Sequence, residues 1–399
     1  MRRILIIGAS IIVLLGAGLA VYSYFFANKV GLTVAPGATL PGVADTIAPI
    51  AGASGVGVNP ATSAVTRVTE RLVKISVGPV VPGEMVLDIP AKDASSTADV
   101  AVHYIEQTSG NIFAYFSRAG TLTRTSNKTL PGIQEAAWLP SGQTAFVRYL
   151  SGDTLASIET YGLAADGSSG FFLPQGLVGI SVASTSVLTL ASGAAGSVAS
   201  LVKSDGTHAT QAFSSPLSSL RISFAGKGGY LAFTKPAGSL PGHLFSAAGG
   251  GVFTRIAGPL PGLVALASPS GAWALVSYSS TGAMHMELVE TKTGRVVPLP
   301  VATIADKCVW AADDSALYCG IPLAPSSEYS YPDDWYQGAA HFSDRIWKID
   351  VAGRFAQLVL DFSAASGGAL DAEALALDPL TTILVFVNKN DGSLWSYAL

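Results

Sequence analysis

The chain has 399 residues, and with 23 Lys or Arg and 27 Asp or Glu its charged fraction is 13%. A typical globular domain has about 25% charged residues. The net charge of −4 argues against a nucleic-acid-binding protein, which needs a basic surface. Two cysteines exclude a disulfide-rich scaffold and a four-thiolate zinc site, and 49% hydrophobic residues exclude a disordered chain.

The N-terminal segment is predicted to be a single-pass membrane anchor. Residues 4–28 carry no charge, and as a helix they would extend about 38 Å, enough to cross a hydrocarbon core of about 30 Å. Arg2 and Arg3 precede this run and Lys29 follows it, so we expect the N-terminus in the cytoplasm and the rest outside. Residues 1–29 are therefore assigned as a signal anchor in the cell membrane. The alternative is a signal peptide cleaved after Ala20, which would also export the remainder.

Residues 30–67 are predicted to be a flexible stalk. Gly, Pro and Ala dominate this segment, Asp45 is its only charge before Arg67, and no helical or strand period persists. A flexible chain of this length would span about 30–35 Å on average.

From residue 130 onward a short pattern repeats: an apolar residue, a tight turn, and an alternating apolar strand. The intervals between copies are 42 to 44 residues, with a last interval of 67. The equivalent apolar residues are Trp138, Val182, Phe224, Ala267, Trp310 and Leu377. A Gly-containing hairpin turn follows most copies, as in Asp166-Gly167 and Asp205-Gly206. Four short strands every 40–45 residues are typical of a β-propeller blade.

The two ends of the repeat region are predicted to share one blade. After the turn at 390–392, the strand 393–399 finishes a blade of only three strands. Residues 71–77, just after the stalk, can supply the missing outer strand and remove a free edge. The first blade then begins near 85–87 and continues with 100–105 and 112–116. This arrangement predicts an all-β propeller of seven blades over residues 68–399, with six or eight as alternatives.

The turns at 139–142 (Leu-Pro-Ser-Gly) and 268–271 (Ser-Pro-Ser-Gly), with the Trp-initiated blades, resemble the TolB-like and WD40-like propeller superfamily. The chain has no Trp-Asp dipeptide, so it departs from the WD40 pattern. Segments 71–75, 130–138, 331–338 and 388–395 also resemble a group of bacterial propellers with an N-terminal anchor. That resemblance covers about residues 68–399. It implies a fold and a location but no activity.

The long last interval predicts a loop insertion at 321–343. Loops on a rigid scaffold carry binding specificity, and aromatic rings beside carboxylates suit sugars, peptides or cations. The candidate ligand- or partner-binding residues are Tyr329, Tyr331, Asp333, Asp334, Trp335, Tyr336 and His341. The alternative is a structural loop that buries Trp335 as a plug over the channel mouth, and the two interpretations are compatible.

The two cysteines are predicted to form a disulfide. Cys308 and Cys319 bracket the turn at Asp313 and Asp314, which would place them directly opposite each other on adjacent strands. An exported location permits oxidation. The alternative is a pair of small buried thiols.

No cofactor, metal site or catalytic residue is predicted. The histidines fall in different repeats without zinc-ligand spacing, and no nucleophile elbow or phosphate loop is present. The leading interpretation is therefore a membrane-anchored extracytoplasmic module that binds or scaffolds a protein, peptide or envelope glycan. The alternatives are an exported glycan lyase or hydrolase that uses the loop carboxylates and His341, and a structural subunit of an envelope assembly.

Overall fold

The computed structural model describes residues 65–91, 97–248 and 251–399. The predicted anchor, and the predicted stalk up to residue 64, lie outside these residues. In the part of the chain that is described, no helix is long and apolar enough to cross a membrane.

The described residues form seven antiparallel sheets, which confirms the seven-bladed propeller. Blade 1 contains β3 (Met85–Ile89), β4 (Asp99–Ile105), β5 (Ile112–Phe116) and β6 (Thr121–Arg124). Blade 2 contains β7 (Ile133–Trp138), β8 (Thr144–Ser151), β9 (Ser157–Ala164) and β10 (Gly170–Phe172). Blade 3 contains β11 (Leu177–Val182), β12 (Ser186–Gly193), β13 (Gly196–Lys203) and β14 (Thr210–Ser215).

The remaining blades follow the same order, from the first strand at the axis to the last strand outside. Blade 4 contains β15 (Leu220–Phe224), β16 (Gly229–Thr234), β17 (Pro241–Ala248) and β18 (Val252–Pro261). Blade 5 contains β19 (Val264–Ala267), β20 (Trp273–Ser280), β21 (Ala283–Glu290) and β22 (Val296–Pro298). Blade 6 contains β23 (Cys308–Trp310), β24 (Ala316–Pro322), β25 (Asp344–Asp350) and β26 (Phe355–Asp361). Blade 7 contains β27 (Ala372–Leu377), β28 (Ile383–Asn388), β29 (Ser393–Ala398), β2 (Leu72–Lys74) and β1 (Thr66–Arg67).

In blades 2 to 7, the repeated apolar residue is the last residue of the first strand. Trp138 ends β7 and Trp310 ends β23, and the tight turn that follows leads into the second strand. The second strands are buried on both faces because neighbouring blades cover them, as the consecutive buried residues of β12 and β20 show. The low charge of the chain thus reflects a core divided among the interfaces between blades.

Blade 7 joins the two ends of the described chain. Leu72 pairs with Tyr397 and Lys74 with Trp395, so β2 lies beside the C-terminal strand β29. The amide of Ile75 donates to the carbonyl oxygen of Leu394 at 2.8 Å. The strand β1 adds a fifth strand beside β2, so the sheet begins at Thr66, within the segment predicted to be a stalk.

Because the first strand of every blade runs in the same direction, all first strands begin at one end of the axis. The loops between second and third strands lie at that end too, and we call it the insertion face. Between β24 and β25 the insertion occupies residues 323–343 and contains a short helix, Asp333–Tyr336. A 3₁₀ turn, Ala305–Lys307, precedes β23, and a second short helix, Phe362–Ser366, follows β26.

Candidate functional site

A cavity of about 890 Å³ opens at the centre of the insertion face, and we call it the axial cavity. The first residues of the inner strands and the adjoining loops of blades 1, 2, 3, 4, 6 and 7 contribute to its wall. The charged and aromatic side chains in this wall are Glu135, Arg221, Lys235, Asp306, Trp335, Tyr336, Glu373 and Lys389. Because six blades contribute to its wall, the cavity forms only when the ring is closed.

Arg221, Asp306 and Tyr336 form a hydrogen-bonded cluster in the wall of this cavity. The Arg221 guanidinium binds Asp306 through two bonds, Nη1 to Oδ2 at 2.7 Å and Nη2 to Oδ1 at 3.2 Å. The Tyr336 hydroxyl donates to Asp306 Oδ2 at 2.7 Å and accepts from Arg221 Nη1 at 3.1 Å. Burial and the Asp306 carboxylate raise the pKa of Tyr336, so the phenol stays neutral. Tyr336 as a whole residue is 38% exposed and lines the cavity, so its ring can offer a flat surface to a ligand.

Trp335 is buried, as expected if the insertion is a structural loop that packs over the channel mouth. Its side chain is 3% exposed, and its indole Nε1 donates to Asp371 Oδ2 at 3.1 Å. The ammonium of Lys307 lies 4.9 Å from its ring centroid and that of Lys389 lies 4.6 Å away. One edge of the ring still reaches the axial cavity. The insertion is therefore fixed to the ring by a buried tryptophan.

A fully buried charge cluster lies beneath this tryptophan. The Lys307 ammonium contacts Asp344 Oδ2 at 2.8 Å, Asp371 Oδ1 and the carbonyl oxygen of Ala372 at 2.9 Å. Asp371 also accepts the amide of Phe342 at 3.0 Å. Burial raises the pKa of Asp344 to about 6, against the opposing effect of Lys307. The cluster joins blade 6, through Lys307 and Asp344, to blade 7, through Asp371. Asp371 in turn binds two residues of the insertion, Trp335 and Phe342.

The blade 7 side of the cavity carries an ion pair next to an unpaired carboxyl group. Lys389 Nζ lies 3.1 Å from Glu373 Oε2. Glu84, directly before β3, is 8% exposed, and neither of its carboxyl oxygens has a hydrogen-bond partner among the described residues. Burial, with a smaller contribution from the nearby Glu373, raises the pKa of Glu84 to about 8. With this raised pKa, the carboxyl group just before the first strand of blade 1 favours its protonated form at pH 7.

The structure brings two of the seven candidate residues, Trp335 and Tyr336, into the axial cavity. Asp333 instead accepts the amide of Gly238 at 2.8 Å, and Asp334 accepts the amide of Ser330 at 2.7 Å, so both carboxylates serve the loop. Tyr331 is buried and donates to Ser326 O at 3.0 Å. Tyr329 and His341 are exposed and line none of the described cavities.

Sequence reasoning missed the site residues that belong to the ring itself. Arg221, Asp306 and Glu373 lie at or just before the start of inner strands, a few residues before the repeated apolar marker. The repeat could therefore have predicted these site residues, because polar residues at the start of the inner strands must converge at the axis.

The two cysteines lie opposite each other in the β23–β24 pair, with their sulfur atoms 2.09 Å apart. Their oxidation in the cell stays a prediction. Among the described residues, no group of three or more His, Cys, Asp or Glu side chains is placed to hold a metal ion.

Comparison with known proteins identifies a fold. No family model matches the chain, and no curated protein matches it by sequence. The structure is similar to that of an oligogalacturonate lyase in complex with manganese, with a TM-score of 0.56 and 10% identity over 86% of this chain and 97% of that one. An oligogalacturonate lyase from Vibrio parahaemolyticus gives a TM-score of 0.55 and 7% identity over 85% and 95%.

A third similar structure is the β-propeller domain of the Trilobed protease from Pyrococcus furiosus, which has an open velcro topology. Its TM-score is 0.50, with 8% identity over 80% of this chain and 95% of that one. These likenesses together identify the chain as a β-propeller whose fold is shared with lyases and with a protease domain.

Proposed function

We propose that this protein is an exported binding module, anchored in the cell membrane by residues 4–28, that holds a glycan of the cell envelope in its axial cavity. The observation that carries the proposal is the axial cavity itself, with its half-exposed Tyr336 ring set among fixed hydrogen-bonding groups. Aromatic faces stack on sugar rings, while paired Arg and Asp side chains hydrogen-bond to hydroxyl groups.

The proposal also agrees with the rigidity of the site. Arg221, Asp306 and Tyr336 are held by one another, so a ligand would meet side chains that are already in position. Preorganised groups lose little conformational entropy on binding. Scaffolding of a protein or peptide partner through the wider insertion face is a variant of the same role.

The test is glycan binding by the full chain in detergent, measured by calorimetry with envelope glycan fragments and oligogalacturonate. Tyr336→Ala should weaken binding at least tenfold, because it removes the exposed ring and leaves the Arg221–Asp306 pair in place. The matched control is Tyr329→Ala, which removes a similarly exposed tyrosine from the same insertion, outside the cavity. Equal effects of the two substitutions, or no glycan binding at all, would contradict the proposal.

A second candidate, a glycan-active enzyme, is favoured by one observation: the carboxyl group of Glu84 is buried and unpaired, and burial raises its pKa to about 8, a value that suits a proton donor. Two similar structures are lyases, one of them in complex with manganese, but among the described residues no group of three or more His, Cys, Asp or Glu side chains is placed to hold such an ion. Turnover of oligogalacturonate to an unsaturated product, lost in Glu84→Gln, would replace the binding proposal with this one.

A further inference from the structure

A second cavity, of about 790 Å³, opens on the insertion face between blades 2 and 3. Its walls are residues 156–159, where β9 begins, and residues 175–178, which lead into β11. We call it the interblade groove. Val178 and Lys235 line both this groove and the axial cavity, so the two adjoin.

The interblade groove is lined by a buried arginine whose Nε–H has no hydrogen-bond partner among the described residues. Arg148 is 8% exposed; its Nη1 donates to Glu135 Oε1 at 2.7 Å and its Nη2 donates to the carbonyl oxygen of Leu177 at 3.2 Å. Its Nε has no hydrogen-bond partner among the described residues. Thr160, which pairs with Arg148 across β8 and β9, is 2% exposed, and its hydroxyl also lacks a partner there. Buried polar groups without partners are rare, and the unpaired Nε–H of Arg148, a residue that lines the groove, indicates a site for a polar ligand.

Lys235 adds an exposed positive charge at the boundary of the two cavities. Three other cations line them, and each has a carboxylate partner: Arg148 with Glu135, Arg221 with Asp306, and Lys389 with Glu373. Lys235 has no ion-pair partner within the described ranges. The ammonium of Lys235 is therefore available to an anionic group, and Arg148, which also lines the groove, has a buried Nε–H without a partner.

The groove is not basic throughout, and this restricts the ligand. Glu159 lies in its wall and accepts the Tyr149 hydroxyl at 3.2 Å. A polyanion with several charges per unit would be repelled by this carboxylate, whereas a unit with a single carboxylate could place that one charge at the Lys235 side of the groove. Ala156, Ile158 and Gly176 leave an apolar surface for the rest of a ring.

We propose that the interblade groove is a second subsite of the glycan site, which binds the carboxylate of an acidic sugar unit through Lys235 and Arg148. The inference rests on the proposed function for its ligand class, and it adds that the glycan is an acidic oligomer reaching from the axis past Lys235. One cavity of this size suffices for a drug-sized ligand, so two adjoining cavities suit a chain of several units.

Length and charge of the ligand can be varied separately in the test. The full chain in detergent is titrated with oligogalacturonates of increasing length and with the same oligomers after reduction of their carboxyl groups. Lys235→Gln should weaken binding of the long acidic oligomers about tenfold and leave the reduced oligomers within twofold. The control is Lys227→Gln, an exposed lysine between β15 and β16 at the opposite face of the same ring.

A second measurement does not depend on the axial cavity. Galacturonate monomer should shift the Nε–H resonance of Arg148 in NMR spectra of the wild type, and Lys235→Gln should reduce that shift. Oligomer binding that depends on Tyr336 but not on Lys235 would overturn the second subsite and leave the proposed function intact. A Lys235-dependent shift without any effect of Tyr336→Ala would support the subsite and contradict the axial site. No response to monomer or oligomer would overturn both.

Discussion

At the scale of single residues, the few charges of this chain gain their importance from burial. Glu84 and Lys307 are both almost inaccessible, but Glu84 has no partner among the described residues while Lys307 has two aspartates. Burial raises the pKa of the unpaired Glu84 carboxyl group, whereas Lys307 has two carboxylate partners that would be left unpaired without it. The two residues therefore respond differently to pH and to substitution.

Glu84 should make the protein less stable as the pH rises. Its folded pKa of about 8 exceeds the ordinary value of 4.5, so between these values the unfolded chain loses a proton that the folded chain retains. The free energy of unfolding should then fall by about 1.4 kcal/mol per pH unit from this residue alone. Glu84→Gln should match the wild type below pH 4.5 and exceed it above pH 8, as measured by chemical denaturation. The exposed Glu70→Gln is the control, and parallel pH profiles of wild type and Glu84→Gln would refute the assignment.

Replacing Lys307 should be among the most damaging single changes. Lys307→Met leaves Asp344 and Asp371 buried without a cation, and breaking a buried ion pair costs about 3–5 kcal/mol. Urea denaturation measures the loss. Lys292→Met, at an exposed turn, should change the free energy of unfolding by less than about 0.5 kcal/mol. A loss below about 1 kcal/mol for Lys307→Met would show that the cluster is not needed.

At the scale of elements, blade 6 differs most from the others, since it carries both the cysteine pair and the insertion. Its first strand is only three residues long, yet Cys308 and Trp310 on it are buried and the insertion packs above it. A short inner strand makes few backbone bonds, so the blade depends on side-chain connections to its second strand and to blade 7.

The cysteine pair should therefore strengthen blade 6 under oxidising conditions. A crosslink that closes a short loop contributes about 2–4 kcal/mol in the chain-entropy model. We expect reductant to lower the unfolding temperature of the wild type and to have no effect on a Cys308→Ala, Cys319→Ala double variant. Two titratable thiols in protein isolated under non-reducing conditions would contradict the disulfide.

At the scale of the whole molecule, the ring depends on one strand from the far end of the sequence. Leu72, in β2, is fully buried between blades and pairs with Tyr397. Leu72→Ala should lower the free energy of unfolding by about 2–5 kcal/mol, as for other buried leucines. Val77→Ala, at a residue 75% exposed, is the control in the same segment. If both substitutions have equally small effects, closure through β2 does not stabilise the ring.

The ring could be predicted because its signals are local and periodic. Each repeated apolar residue, such as Trp138, lies beside its own turn, and six copies of one sequence pattern specify one architecture. The cysteine pair followed from a symmetric hairpin in the same way. Local patterns also located the insertion, because it interrupts the period between Trp310 and Leu377.

The composition of the site could not be predicted, because its members meet only when the ring closes. Arg221 lies 85 residues from Asp306 and 115 from Tyr336 in the sequence. No local pattern states which of the insertion's side chains will face the axis. The carboxylates of Asp333 and Asp334 looked available in the sequence, yet backbone amides of nearby loops occupy them.

The closing strand also determines how the protein would respond to mechanical load. A pull applied to the chain at Val65 acts first on β1, a two-residue strand at the edge of blade 7, and then on β2. When an edge strand is pulled away from its neighbour, the backbone hydrogen bonds between the two antiparallel strands break one after another. The tension would therefore open the ring at blade 7, away from blades 3 and 4, whose strands come from the middle of the sequence. Held from its N-terminal side, the propeller would yield first at the outer strands of blade 7, whereas the axial cavity lies at the opposite, inner side of that blade, where β27 carries Glu373.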